Sequence, residues 1–276
     1  MSTGPTSATA ASTPSGSAGT TATLPRLDSS GTPAVGLSTL VPVELRKAVD
    51  TRAGRWLVAA ILALTAAAVA LVVAVSDDGE RTMADLLSFA ATPQGLLLPV
   101  LGILLVTGEW SQRTALVTFA LTPSRSQVVS AKLLAALLLA LAAVVGAILA
   151  AATATAVSGT EDGFADVGVT TILLFAALQL LNVVMGVAFG LLLLRTPTAI
   201  SVFFILPAVS SILFTTVPAL ADLAPWLDIQ TAQMPLANGD FSLTGEQLGQ
   251  VAVTGLLWVG LPLLAGWWRA TRAEVK

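Results

Sequence analysis

Residues 56–76 read WLVAAILALTAAAVALVVAVS, an apolar run without a single charge. At ~1.5 Å of rise per residue, an α-helix needs roughly 20 such residues to cross the ~30 Å of hydrocarbon in a bilayer, and this run is long enough. Working outward, five further windows lack charge: 86–108, 133–160, 168–194, 196–221 and 247–268. The expected fold is therefore an all-α membrane protein with six spans, at about 56–76, 86–108, 133–157, 169–194, 198–217 and 248–268. The second window is the weakest. Pro93, Gln94 and Pro99 interrupt it, which predicts a kinked helix or a late start.

Composition agrees. The 276 residues are 55% hydrophobic and only 11% charged, and mean hydropathy is +0.87. A soluble domain carries roughly 25% charged residues. There is no histidine, cysteine or tyrosine, which excludes His-based zinc and Ser-His chemistry, Cys nucleophiles and disulfides. Residues 1–40 are mostly Ser, Thr, Ala, Gly and Pro with Arg26 and Asp28 as their charges. They cannot bury enough apolar surface to offset ordering entropy, and they lack the basic start and apolar run of a secretory signal. A disordered cytoplasmic tail is expected there, ahead of a six-helix transmembrane domain at 41–276.

Charge placement tests the span count separately. The segments before span one, between spans two and three, between four and five, and after six hold Arg46, Lys47, Arg52, Arg55, Arg113, Arg125, Lys132, Arg195, Arg269, Arg272 and Lys276. The alternate segments hold Arg81 against a long series of acids, Asp228 among them. By the positive-inside rule both termini are expected in the cytoplasm.

Before the first span, residues 43–52 place Leu45, Ala48 and Val49 on one helical face and Glu44, Lys47, Asp50 and Thr51 largely on the other. That predicts an amphipathic helix flat in the headgroup layer, or simply the basic flank of a first span. Trp56, Trp226, Trp258, Trp267 and Trp268 are expected to be interfacial anchors.

The loop between spans two and three carries the most information. Glu109 and Lys132 stand at the membrane edge on either side of it and could pair there, fixing its geometry more than adding stability. Thr122 and Pro123 form a helix start, since a hydroxyl can cap free N–H groups and proline fits the first position. Arg125 then falls in the first turn, where the helix dipole disfavours a cation. Its charge is expected to serve an acidic site on a partner or lipid phosphates. In span four, Gln179 and Asn182 share a face and Gly186 and Gly190 have Gly-x-x-x-Gly spacing. These features fit a polar pathway or the packing of one helix on another. Residues 218–245 stay fairly apolar around Pro218, Pro225 and Trp226, so short helices dipping back toward the bilayer are expected.

Within the charge-free windows no ionisable residue offers ion coupling, and no glycine precedes a lysine, so there is no phosphate loop. Work for transport would have to come from another chain. The order Gly108, Glu109, Trp110, Thr114, Pro123, Arg125, Lys132, with an amphipathic lead-in helix and six spans, resembles ABC type-2 permeases, the membrane subunits of bacterial ATP-binding-cassette exporters. Arg113 stands where that family often has glycine. The resemblance spans about residues 41–276, specific in the loop and topological elsewhere.

The resemblance implies a two-subunit pore, homodimeric or heterodimeric, in the bacterial cytoplasmic membrane, with two copies of a cassette ATPase beneath it. ATP and Mg would be bound by that partner, and neither cofactor nor nucleic acid by this chain. It assigns ATPase coupling to Thr118, Thr122, Pro123, Ser124 and Arg125, loop bracing to Glu109, Thr114 and Lys132, lead-in contacts to Glu44 and Lys47, and an outer gate to Pro218, Pro225 and Trp226. Gln179 and Asn182 are the pathway candidates. An alternative from another class is a membrane-embedded immunity or interaction protein without transport; a weaker one is an uncoupled channel. Catalytic and metal residues are not expected. Spans rich in Ala, Leu and Val would suit hydrophobic or amphipathic cargo.

Overall fold

A computed structural model describes residues 4, 36–76, 82–111, 124–165, 167–237 and 243–272. The chain divides into Met1–Ala34 and Val35–Lys276, and the architecture below is that of the second unit. Among the described residues its regular structure is all helix, with no strand. In order come α1 (Leu37–Asp50), α2 (Arg52–Val75), α3 (Met83–Ser111), α4 (Arg125–Ser158), α5 (Val169–Leu193) and α6 (Thr196–Thr216). A 3-10 turn (Pro218–Leu223), α7 (Ala224–Leu227) and α8 (Ile229–Ala237) follow. Then α9 (Gly245–Gly255) runs through a π-helical stretch (Leu256–Gly260) into α10 (Leu261–Arg272). Six helices are long and apolar enough to span a bilayer: α2 to α6, and the continuous Gly245–Arg272. They mark a multi-pass membrane protein.

The span that looked weakest is the hub. Helix α3 runs unbroken through Pro93 and Pro99 and begins at Met83, so the late start is not seen. Of its most apolar stretch 56% is buried, against 17% in α6. Hydropathy reads the demand that lipid makes on a helix, and a helix surrounded by protein is released from that demand. Gln94 and Pro99 are affordable in α3 because both are buried against other helices.

Helix α5 lies closest to α3, and the two run parallel. A Cβ at Gly102 would stand 2.7 Å from the Val183 carbonyl, and one at Gly186 would fall on the Pro99 carbonyl. Lipid tails are as apolar as leucine, so helices in a bilayer associate by close van der Waals approach and not by hiding from water; small residues permit that approach. Gly186 therefore serves packing, as one of the two sequence readings had it.

Helix α1 differs from its expected form. It starts at Leu37, inside the stretch expected to be disordered, and Pro42 lies within it. Its buried residues are Glu44 and Ala48, while Val49 is 40% exposed. The supposed solvent-facing acid thus points inward. A helical wheel assumes lipid on the apolar side, but α1 packs against the start of α4, where a buried lysine waits. Thr51 alone links α1 to α2, accepting from Gly54 N at 3.1 Å as the α2 cap. Gly54 is required there, since any Cβ would fall on the Ala48 carbonyl.

The segment after α6 folds back beside the spans. The Trp258 indole Nε1 donates to the Leu227 carbonyl at 2.8 Å, and Trp258 lies midway along Gly245–Arg272. The Trp258 side chain is thus a mid-span strut and not an interfacial anchor. Trp56 and Trp268, at 73% and 59% exposed, lie at the other end.

Candidate functional site

Four charged side chains from three helices close into a ring. On α1, Glu44 precedes Lys47 by three residues, so both project from one face. Lys47 Nζ donates to Glu44 Oε1 at 2.8 Å and to Glu109 Oε1 at 2.7 Å. Lys132 Nζ donates to Glu44 Oε2 at 2.8 Å and stands 3.2 Å from Glu109 Oε1. Two carboxylates and two ammoniums alternate around the ring, so its formal charge is zero.

That neutrality is why the ring can be buried. The Glu44 and Lys132 side chains are 4% and 7% exposed. Lys132 has three N–H donors, and its third reaches the Leu105 carbonyl at 3.2 Å, so every donor has an acceptor. Such a ring adds little net stability over apolar packing, while loss of one member leaves a buried charge uncompensated. Lys47 is the ring's opening to solvent, 43% exposed. Burial pulls its pKa down, but the Glu109 and Glu44 carboxylates outweigh that and hold it above the ordinary 10.5.

The ring straddles the loop that the sequence singled out. Glu109 stands near the end of α3 and Lys132 in the early turns of α4, so the expected contact between them is present, with α1 added. Ser124 caps α4, accepting from Gln127 N at 3.4 Å. Arg125 Nη1 donates to the Thr271 carbonyl in the last turn of α10 at 3.3 Å. A cation is favourable at a helix C-terminus, so this contact compensates the unfavourable place of Arg125 in its own helix. Thr114, Thr118, Thr122 and Pro123 lie outside the described residues.

Other side chains at this end were not anticipated. Thr107 Oγ1 and Ser111 Oγ lie 2.7 and 3.0 Å from Thr196 Oγ1, joining α3 to α6. Arg269 donates to the Leu192 carbonyl near the end of α5. A hydroxyl at a span end is too common a signal to have marked them.

The pathway candidates sit between helices. Gln179 is fully buried on α5 with neither amide atom bonded. Gln94 donates to the Ala143 carbonyl at 2.8 Å and leaves its own oxygen unpaired. Asn182 is half-buried, its amide nitrogen 3.8 Å from where a Gly95 Cβ would stand. Pro99 has no N–H to offer the Gly95 carbonyl four residues earlier, so the amide lies near a gap in the α3 ladder. Toward the far end, Pro218 is exposed, Pro225 and Trp226 are half-buried, and the Trp226 ring lies 3.6 Å from where a Gly249 Cβ would stand.

The described residues hold no group of three or more metal-ligating side chains. No protein-family model matches the chain, and no curated protein matches it.

Proposed function

We propose that this chain is the permease subunit of an ATP-binding-cassette exporter of the type-2 kind, in a bacterial cytoplasmic membrane with both termini inside. Two ATPase subunits supply the energy from ATP and Mg, and a second permease subunit completes the pathway. The observation that supports this best is the ion-pair ring at the base of the loop between the second and third spans. It clamps both ends of that loop to each other and to α1.

A push on such a loop cannot be absorbed locally. The end of α3, the start of α4 and α1 move together, because separating them would strand buried charges. Arg125 carries the displacement to α10 through Thr271. The sixth span carries it on through Trp258 to the folded-back segment at Leu227, the proposed outer gate. Loop and gate are thereby linked through one continuous helix, α9 to α10. The lack of any phosphate loop in this chain fits a division of labour between pathway and motor.

Replacing Arg125 with Glu tests the reading. The variant is expected to insert normally but to lose ATP-driven transport and to retain less ATPase on co-purification. Unchanged transport would reject the coupling role, and a parent chain with which no ATPase co-purifies would favour the non-transporting interaction protein instead.

A further inference from the structure

The ring compensates its buried charges completely; Asp228 does not. This carboxylate is fully buried at the junction of α7 and α8, where the chain folds back. Its Oδ2 accepts from Thr231 N at 3.0 Å and from Thr231 Oγ1 at 2.7 Å, capping α8. Its Oδ1 is buried with no hydrogen-bond partner. Among the described residues no lysine or arginine pairs with it. The described basic side chains lie on α1, in the early turns of α2 and α4, in the link before α6, and in the last turns of α10. By helix rise, Arg269 is roughly 16 Å along the span from Trp258, whose indole pins the preceding residue, Leu227.

Capping does not explain a charge here. Asn caps a helix about as well as Asp, through one oxygen and without an ion to bury. An acid buried beside the middle of a span, with one oxygen unpartnered, points to a functional site that takes its cation from outside the chain. The surroundings indicate what kind. Ile229, the next residue, is buried in a cluster with Phe189, Phe203 and Val259, and Trp258 packs against that cluster. Aromatic faces attract organic cations, and an apolar wall disfavours a hydrated metal ion.

We propose that Asp228 is the recognition point for a lipophilic monovalent organic cation, held by Oδ1 behind the folded-back segment. Opening of α7 and α8 admits the cation, and the aromatic cluster receives its apolar body. That the cation is cargo rests on the exporter reading above; that it binds does not.

The test uses the full-length chain in detergent and a matched pair of ions, tetraphenylphosphonium and tetraphenylborate, which share size and shape but differ in sign. Equilibrium dialysis is expected to show tetraphenylphosphonium bound and tetraphenylborate not. Asp228→Asn, which keeps a capping oxygen, is expected to weaken binding by roughly thirtyfold, the loss of one buried charge partner, with an unchanged unfolding temperature. Asp228→Glu, which keeps the charge, retains measurable binding. Equal binding of both ions, no binding by the parent, or undiminished binding by Asp228→Asn overturns the proposal. So does an unfolding temperature that sodium raises over choline in the parent and not in Asp228→Asn, since the ion is then inorganic. The sign comparison on the parent stands even if a variant misfolds. Charge-selective binding in a preparation with which no ATPase associates would leave the site intact and remove the exporter reading.

Discussion

The two buried ionic sites answer the same electrostatic problem in opposite ways. At one end Glu44, Lys47, Glu109 and Lys132 alternate in sign, and Lys132 uses every donor. At the folded-back segment Asp228 caps α8 through one oxygen and is unpartnered on the other. The first is complete within the chain and so holds helices in place; the second is incomplete and so invites something from outside. Buried charge therefore has no single meaning in this molecule. What decides is whether partners are supplied within the chain.

The largest expected effect comes from opening the ring. Lys132→Met removes the most buried ammonium of the ring from Glu44 and Glu109, and should lower stability by roughly 3–5 kcal/mol, read as thermal unfolding in detergent. Exchanging all four members for Gln and Met should recover most of that loss while still weakening ATPase coupling. If the single variant is as stable as the parent, the contrast with Asp228 disappears.

A smaller effect is expected from Trp258→Phe, which removes the strut but keeps the ring's apolar bulk. Losing one hydrogen bond costs about 1 kcal/mol. The clearer readout is access. The chain has no cysteine, so a Leu227→Cys background reports directly, and Trp258→Phe should speed its maleimide labelling. Equal labelling rates would mean that the indole does not hold the segment beside the sixth span.

The smallest effect is alkaline. Lys47 has a folded-state pKa above its ordinary 10.5, so its contribution is fully present below that value and is lost as pH rises through the raised one. Stability should hold through neutral and mildly alkaline pH and fall only above it. Being 43% exposed, Lys47 contributes little. Lys47→Arg keeps a charge that does not titrate in this range and should lessen the decline; an identical pH profile would contradict the assignment.

Much of the fold was legible, and for one reason. Hydrocarbon demands an uncharged run of fixed minimum length, so each span betrays itself without any knowledge of its neighbours. The candidate site was legible in part. Glu109 and Lys132 could be matched because both sit where a span meets a loop. Glu44 was assigned to the outer face of α1, since a helical wheel shows which residues share a face but not what that face meets. Asp228 read as one more acid in an outer loop because sequence carries no depth; Trp258 stands in the middle of the window 247–268, and what sequence did not show was its bond to Leu227.

What sequence alone determined is the set of six helices and the separation of basic from acidic links between them, because both follow from the solvent each residue can tolerate. What only the tertiary structure decided is which charges find partners. Ion pairs form over about 3 Å, and residues as far apart as 44 and 132 reach that distance only once α1 has packed against α4. The same packing made α3, whose window Pro93, Gln94 and Pro99 interrupt, the centre of the bundle, and among the described residues it left Asp228 Oδ1 buried without a partner.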